Sequence, residues 1–151
     1  MTTYPLLPDL RFGIIGSTAS IAVIRVKALT RLPGASIAGM ADVAVERGEA
    51  RAREVGCPFF ADHCAMLDTI RPDVAVICAP YLFRATLAID CLKARAHMLV
   101  EKSLAASVSK ADAMITASAS GLLPATAKTR CRSVADATGD RWRTTLLRLV
   151  E

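Results

Sequence analysis

Residues 10–20 read LRFGIIGSTAS, an apolar run that passes through a glycine into a polar stretch. The run is typical of a buried strand, and residues 20–32 continue with apolar side chains at helical spacing. The side chains expected on the inward face of that helix are Ile21, Ile24, Ala28 and Leu32. A buried strand that leads through glycine into a helix predicts the first half of a β–α–β unit.

The same alternation of short apolar runs and helical patterns continues along the chain. Further strands are expected at residues 35–42, 57–60, 73–80, 97–102 and 122–127. Pro124 weakens the last of them because proline cannot donate a ladder hydrogen bond. Strands that alternate with helices predict an α/β fold with one parallel, doubly wound, Rossmann-like sheet in the order 3-2-1-4-5-6.

Composition excludes several classes of protein. The 151 residues are 53% hydrophobic and 22% charged, which indicates a globular chain rather than a disordered one. No apolar run reaches the roughly 18 residues that a membrane helix needs, and the first residues lack the pattern of a signal peptide. We expect a soluble, cytoplasmic protein with no membrane partner.

The net charge of +5 is unevenly distributed. Residues 121–151 hold six basic and three acidic side chains, so more than half of the excess lies in one-fifth of the chain. We therefore expect two parts, a Rossmann-like α/β domain at 1–120 and a basic, partly helical tail at 121–151. The tail lacks interleaved aromatic residues, so a solvated helix face is favoured over nucleic-acid binding.

The five cysteines, which are Cys57, Cys64, Cys78, Cys91 and Cys131, form no C-x-x-C pair. Their odd number and apolar surroundings predict free, mostly buried thiols in a reducing compartment. His63 lies close to two of them in sequence, but the spacing matches no usual zinc pattern, so no metal site is expected.

Candidate binding residues follow the first two expected strands. Gly13, Gly16, Ser17 and Thr18 lie where a glycine turn would let a pyrophosphate approach the backbone at a helix N-terminus. Thr18 stands where the full glycine fingerprint has its second glycine, which predicts weak binding, and a turn without a ligand is the alternative. Asp42 ends the second strand and could accept hydrogen bonds from ribose hydroxyls, or could instead cap the following helix.

A resemblance to a known family lies further along the chain. Residues 94–105, ARAHMLVEKSLA, are similar to the A-G-K-H-V-L-V-E-K-P-L-A stretch of the Gfo/Idh/MocA oxidoreductases, the family of glucose–fructose oxidoreductase and inositol dehydrogenase. The strands at 35–42 and 73–80 also resemble that family. The resemblance covers roughly residues 10–118 and includes only the N-terminal nucleotide-binding domain. The family's C-terminal α/β domain is expected to be missing.

The resemblance implies NAD(P)-dependent chemistry on a sugar, a polyol or a related carbonyl compound. Lys102 would be the catalytic or substrate-contacting lysine, and Glu101 the acid beside it. Ala79 and Pro80 would line the path of the cofactor. Asp42, with no basic residue before Arg47, makes NAD the expected cofactor and NADP the less expected one. Without the resemblance, a Glu-Lys pair at a strand end would be read as solvated.

The sequence also departs from the family pattern. Arg84 replaces a usual histidine, Arg95 replaces a glycine, and Ser103 replaces the proline of E-K-P, which loosens the backbone that presents Lys102. We therefore expect a nucleotide-binding domain that is weak or inactive alone. The alternatives are a non-catalytic NAD(H)-binding regulatory module and a degenerate, truncated remnant. An exposed apolar surface where another domain would pack could instead support a homo-oligomer.

Overall fold

A computed structural model describes residues 9–118 and 124–126 of the chain. The strands are β1 (Leu10–Ile15), β2 (Ala35–Ala41), β3 (Phe59–Phe60), β4 (Val74–Ile77), β5 (His97–Val100) and β6 (Pro124–Thr126). The helices are α1 (Ser20–Leu29), α2 (Val45–Val55), α3 (His63–Ile70), α4 (Tyr81–Lys93) and α5 (Val108–Ser118). The helix expected in the tail and Cys131 lie outside the described residues.

The six strands form one sheet in the order β3-β2-β1-β4-β5-β6, and every pair is parallel. The α/β class and the predicted strand order are therefore confirmed. The three-residue strand β6 lies at the edge, where Pro124 pairs with Met98 and its missing N–H is tolerated. Strand β1 lies between β2 and β4, so the chain changes direction across the sheet there.

Side chains of the strands alternate between two buried clusters, one on each face of the sheet. Ile15, Ile77 and Val100 belong to the cluster packed under α3, α4 and α5. Ile14 and Val76 belong to the other cluster, which packs under α1 and α2. Both faces are thus covered by helices, as a parallel sheet requires.

The inward face predicted for α1 is correct only in part, because Ile21 and Ala28 pack against the buried cluster. Ile24 is 59% exposed, and the residues that α1 buries are Ala22, Arg25, Val26 and Leu29. The buried face therefore includes an arginine, and a pattern of apolar residues cannot find a face that contains a charge. The helix also ends at Leu29, three residues before the predicted end.

Within the described residues, no helix combines the length and the apolar composition needed to cross a membrane.

The ends of two helices follow local signals in the sequence. Helix α2 ends at Gly56, which adopts the left-handed conformation with φ of 79° and acts as the C-cap. Asp62 caps α3, since its carboxylate accepts the backbone N–H of Cys64 at 3.0 Å.

Candidate functional site

The carboxyl ends of the four inner strands meet at one edge of the sheet. Strands β1, β2, β4 and β5 end at residues 15, 41, 77 and 100. The loops that follow them hold every residue that the sequence predicts for the site, except Gly13. In open α/β sheets, this edge is where ligands bind.

The turn after β1 depends on Gly16. Its φ is +81°, and a Cβ at this position would lie 2.8 Å from the backbone nitrogen of Ala79, after β4. Only glycine lets the two turns approach this closely. Gly13 lies inside β1, where a Cβ would meet the Met66 side chain at 3.0 Å. Gly13 therefore belongs to the part of the core that packs under α3, and it does not lie at the ligand edge.

Ser17 is fully buried in this turn. The backbone N–H groups of Gly16 and Ser17 both donate to the carbonyl oxygen of Ala41, at 2.9 and 3.3 Å. The Oγ atom of Ser17 has no hydrogen-bond partner among the described residues. A buried hydroxyl without a partner is costly, which is consistent with a ligand oxygen that completes its hydrogen bonding.

Asp42 holds the glycine turn from the end of β2. Its Oδ2 atom accepts the backbone N–H of Thr18 at 2.8 Å, and its Oδ1 atom accepts that of Ala44 at 2.9 Å. The residue before α2 is Ala44, which has no side-chain cap, so Asp42 does not cap the helix in the usual way. A carboxylate oxygen has two acceptor positions, so Asp42 can still accept hydroxyl groups. Arg47 also reaches this corner, with 3.4 Å between its guanidinium nitrogen and Oγ1 of Thr18.

The N-terminus of α1 fits an anion. Ala19 precedes the helix and makes no side-chain cap, and the first turn contains no acidic residue. The positive end of the helix dipole is therefore not balanced by a nearby carboxylate of its own turn. Together with the buried Ser17 hydroxyl, this helix end suits the pyrophosphate of a dinucleotide.

Glu101 is paired with Arg25, a basic residue that no sequence motif marks as part of the site. Its Oε1 atom lies 2.6 Å from Nε of Arg25 on α1, and both side chains are about one-tenth exposed. The pair joins the loop after β5 to the helix that begins at the glycine turn. The structure thus places the Glu101 carboxylate against α1.

Arg84, which the sequence marks only as a departure from the family pattern, is a second buried arginine. Its Nε donates to the carbonyl oxygen of Ala79 at 2.8 Å. One terminal nitrogen donates to the carbonyl oxygens of Glu101 at 3.0 Å and Ser103 at 2.8 Å. The side chain therefore connects the loops after β4 and β5. Its position in the first turn of α4, among residues that flank the ligand edge, was the signal available in the sequence.

Lys102 lies between the two carbonyl groups that Arg84 holds, and it is exposed. Ala79 is buried, whereas Pro80 is exposed at the same edge. Tyr81, Leu82 and Phe83 follow it and are each more than half exposed. The ligand edge thus combines a cation with accessible apolar surface.

The thiols of the described residues are free, as predicted, but not all are buried. Burial, with a smaller contribution from Glu101, raises the pKa of Cys78 to about 12, while Arg25 and Arg84 act in the opposite direction. Burial also raises the pKa of Cys91 to about 12. Cys64 is exposed, whereas the sequence predicts mostly buried thiols.

Asp62, His63 and Cys64 lie at the start of α3, with ligand-type atoms within 4.8 Å of one another. His63 is also hydrogen-bonded to Asp90 on α4, with 3.0 Å between Nε2 and Oδ2. The Asp62 carboxylate already caps α3. Hydrogen bonding within and between helices accounts for these contacts.

Comparison with solved structures agrees with this architecture. The scyllo-inositol dehydrogenase of Lactobacillus casei, solved with NAD(H) and scyllo-inositol, superposes with a TM-score of 0.73 at 19% identity, over 78% of this chain and 36% of that one. A dehydrogenase from Chromobacterium violaceum, solved with NADH and UDP-GlcNAcA, gives a TM-score of 0.75 at 22% identity, over 83% of this chain and 37% of that one. At these identities the likeness establishes the fold.

Sequence comparison identifies the family. The inositol 2-dehydrogenase of Rubrobacter xylanophilus is 32% identical over 87 residues, which are 58% of this chain and 25% of that protein. The chain thus spans little more than a third of the length of the solved relatives and matches a quarter of the curated one. Residues 10–121 match the oxidoreductase family described by its NAD-binding Rossmann fold. The chain therefore belongs to the Gfo/Idh/MocA oxidoreductase family.

Proposed function

We propose that this chain binds NAD(H) at the ligand edge and is the cofactor-binding part of an oxidoreductase that acts on a sugar, a polyol or a related carbonyl compound. The observation that carries the proposal is the buried, unpartnered Ser17 hydroxyl in a turn that Asp42 holds. The substrate class is supported by the relatives, which are named as dehydrogenases of inositols.

The proposed cofactor contacts divide between two ends of the site. The pyrophosphate would lie at the N-terminus of α1, near Ser17 and the backbone that follows it. The ribose hydroxyls of the adenosine half would bind the free acceptor positions of Asp42. A carboxylate at that position disfavours the additional phosphate of NADP, so NAD is the proposed cofactor. The guanidinium of Arg47 near Thr18 opposes this preference and predicts that it is modest.

Lys102 is the residue proposed for contact with the substrate. The nicotinamide ring, when bound, supplies or accepts a hydride. An ammonium group beside the reacting carbon can donate a hydrogen bond to the substrate oxygen and stabilise the negative charge that develops there. Lys102 follows β5 at the ligand edge and is exposed, so it is accessible to a small molecule.

We propose that these 151 residues have little turnover alone. Of the two histidines, His97 begins β5, at the opposite end of the strand from Lys102, and His63 on α3 is hydrogen-bonded to Asp90 on α4. Neither is suited to exchange a proton with a substrate beside Lys102. The positions of the two histidines also favour a second candidate function, which is NAD(H) sensing without turnover.

The binding proposal is tested by isothermal titration of the full chain with NADH and with NADPH. We expect heat of binding for NADH at submillimolar to millimolar concentrations, with a weaker signal for NADPH. No heat with either cofactor at millimolar concentration would overturn the proposal. Asp68→Ala, on the exposed face of α3, is the matched control for changes at Asp42.

Turnover is tested separately, by NADH production from myo-inositol or glucose. We expect none above background. Steady production that Lys102→Ala abolishes would show that the chain is an enzyme by itself, in disagreement with the low turnover that we propose.

The proposal includes a cytoplasmic location, which the free thiols of the described residues support. It also includes self-association through the exposed apolar side chains at the start of α4, Tyr81, Leu82 and Phe83. Sedimentation equilibrium of the chain and of Phe83→Ser distinguishes a dimer from a monomer.

A further inference from the structure

We propose that Arg84 is a positioning residue that holds Lys102 in place for the nicotinamide half of the cofactor and for the substrate. This inference rests on the proposed function of Lys102. It concerns a residue that departs from the family pattern, and it assigns to that residue the role that the proline of E-K-P would have in fixing the backbone.

The hydrogen bonds of Arg84 surround Lys102 on both sides. A single guanidinium nitrogen donates to the carbonyl oxygen of Glu101, which precedes Lys102, and to that of Ser103, which follows it. The two distances are 3.0 and 2.8 Å. Because the carbonyl groups of the residues on either side of Lys102 share one donor nitrogen, the backbone is held on both sides of the lysine. The bonds are charge-assisted and therefore stronger than bonds between neutral groups.

The third bond ties this loop to the opposite side of the site. Nε of Arg84 donates to the carbonyl oxygen of Ala79 at 2.8 Å, and the backbone of Ala79 packs against Gly16. The side chain thus joins the loop that presents Lys102 to the turn proposed for the pyrophosphate. A rigid planar guanidinium can span these acceptors, whereas the point charge of a lysine cannot match the same fork.

The environment of Arg84 makes this arrangement specific. The side chain is buried. Among residues 9–118, no carboxylate forms an ion pair with it, so its charge is balanced by the three carbonyl oxygens. Glu101 directs its own carboxylate to Arg25, which anchors the same loop from α1.

The test compares NADH with ADP-ribose, which lacks the nicotinamide ring, in Arg84→Met. We expect the dissociation constant for NADH to rise by about tenfold, the loss that follows from charge-assisted bonds to the loop, and that for ADP-ribose to change by less than about twofold. Arg84→Lys should recover only part of the NADH affinity. Arg53→Met is the matched control, since Arg53 is an exposed arginine on α2.

Double substitution separates positioning from general stability. If Arg84 acts through Lys102, then Arg84→Met should change NADH affinity little in a chain that already carries Lys102→Ala. Equal losses for NADH and ADP-ribose, or the same loss with and without Lys102, would overturn the inference. Failure of the unmodified chain to bind either ligand would contradict the proposed function itself. This outcome is distinct from the two outcomes that overturn only the role of Arg84.

A measurement on the unmodified chain applies even if Arg84→Met does not fold. The Nε–H resonance of Arg84 in a nitrogen-15 spectrum should shift when NADH is added and remain unchanged with ADP-ribose. A resonance that responds equally to both ligands, or to neither while NADH binds, would contradict the inference.

Discussion

The Nε atom of Arg25 lies 2.6 Å from the Oε1 atom of Glu101, and both side chains are almost completely shielded from water. The two residues belong to different elements, since Arg25 is on α1 and Glu101 follows β5. The ion pair therefore connects the helix that would receive the pyrophosphate to the loop that contains Lys102. Because either charge would be buried without compensation if its partner were removed, the pair is sensitive to single substitutions.

We expect Arg25→Met to lower the free energy of unfolding by about 3–5 kcal/mol, because it leaves the Glu101 carboxylate buried without its partner. Arg25→Met combined with Glu101→Met should recover most of this loss, since an apolar pair of similar volume needs no compensation. Urea denaturation of the two variants checks the prediction. The prediction would be contradicted if the double variant lost as much free energy of unfolding as Arg25→Met and Glu101→Met lose in sum.

Gly16→Ala should destabilise the chain more than Gly56→Ala does. Both glycines have positive φ, 81° and 79°, so both substitutions incur a conformational cost of about 1–2 kcal/mol. A Cβ at Gly16 would also approach the Ala79 nitrogen to 2.8 Å, whereas nothing lies within 4 Å of one at Gly56. The difference between the two variants in urea denaturation thus measures the close approach of the two turns, and equal losses would exclude it.

Ser17→Ala should separate stability from binding. Because the hydroxyl is buried without a partner, its removal should leave the free energy of unfolding unchanged or raise it by about 1 kcal/mol. The affinity for NADH should fall by about fivefold to tenfold if the hydroxyl donates to the cofactor. Thermal denaturation and titration check the two parts, with Ser36→Ala on the exposed side of β2 as control. Unchanged affinity would remove Ser17 from the proposed site.

Asp42→Ala should weaken NADH binding by about 1–2 kcal/mol, the range for a hydrogen bond to a charged group. Asp42→Asn should narrow the preference for NADH over NADPH, because it removes the charge that repels an additional phosphate. Arg47→Met should widen that preference, because it removes the nearby cation. Parallel titrations with the two cofactors provide the ratios, and a ratio that neither variant changes would contradict both assignments.

Alkaline pH should destabilise the folded chain through Cys78 and Cys91. Burial raises the pKa of each thiol to about 12, from an ordinary value of 9.0 in the unfolded chain. The unfolded state therefore loses protons first, and stability decreases as the pH rises from about 9 towards 12, by up to about 1.4 kcal/mol per pH unit for each thiol. Urea denaturation at several pH values measures the slope. Cys91→Ala should reduce it, and an unchanged slope would be inconsistent with this origin.

The strand order could be predicted because it depends on features that are local in the sequence. Short apolar runs that alternate with helical patterns require parallel pairing, and the glycine turn after β1 identifies the strand at which the chain changes direction. The inward face of α1 could not be predicted by the same reasoning. Arg25 occupies that face because Glu101, 76 positions away, neutralises it, and no local pattern contains this information.

The same limitation applies to the site. Ser17, Thr18 and Asp42 could be selected as candidates because each lies within three residues of the end of a strand, and the carboxyl ends of parallel strands share one edge. Arg84 could be recognised only as an unusual residue, since its partners are carbonyl groups of two other loops. Backbone acceptors have no signature in the sequence, so a side chain that binds them shows its role only in the folded chain.

The ion pair of Arg25 and Glu101 has a consequence for the order in which the chain folds during synthesis. The two residues are 76 positions apart, so α1 is complete on the ribosome long before its partner has been made. Until then, burial of Arg25 would leave a charge without compensation, and the helix gains little by docking on the sheet. We therefore expect α1 to associate only loosely with β1 and β2 in nascent chains, and to dock firmly once β5 and Glu101 have emerged.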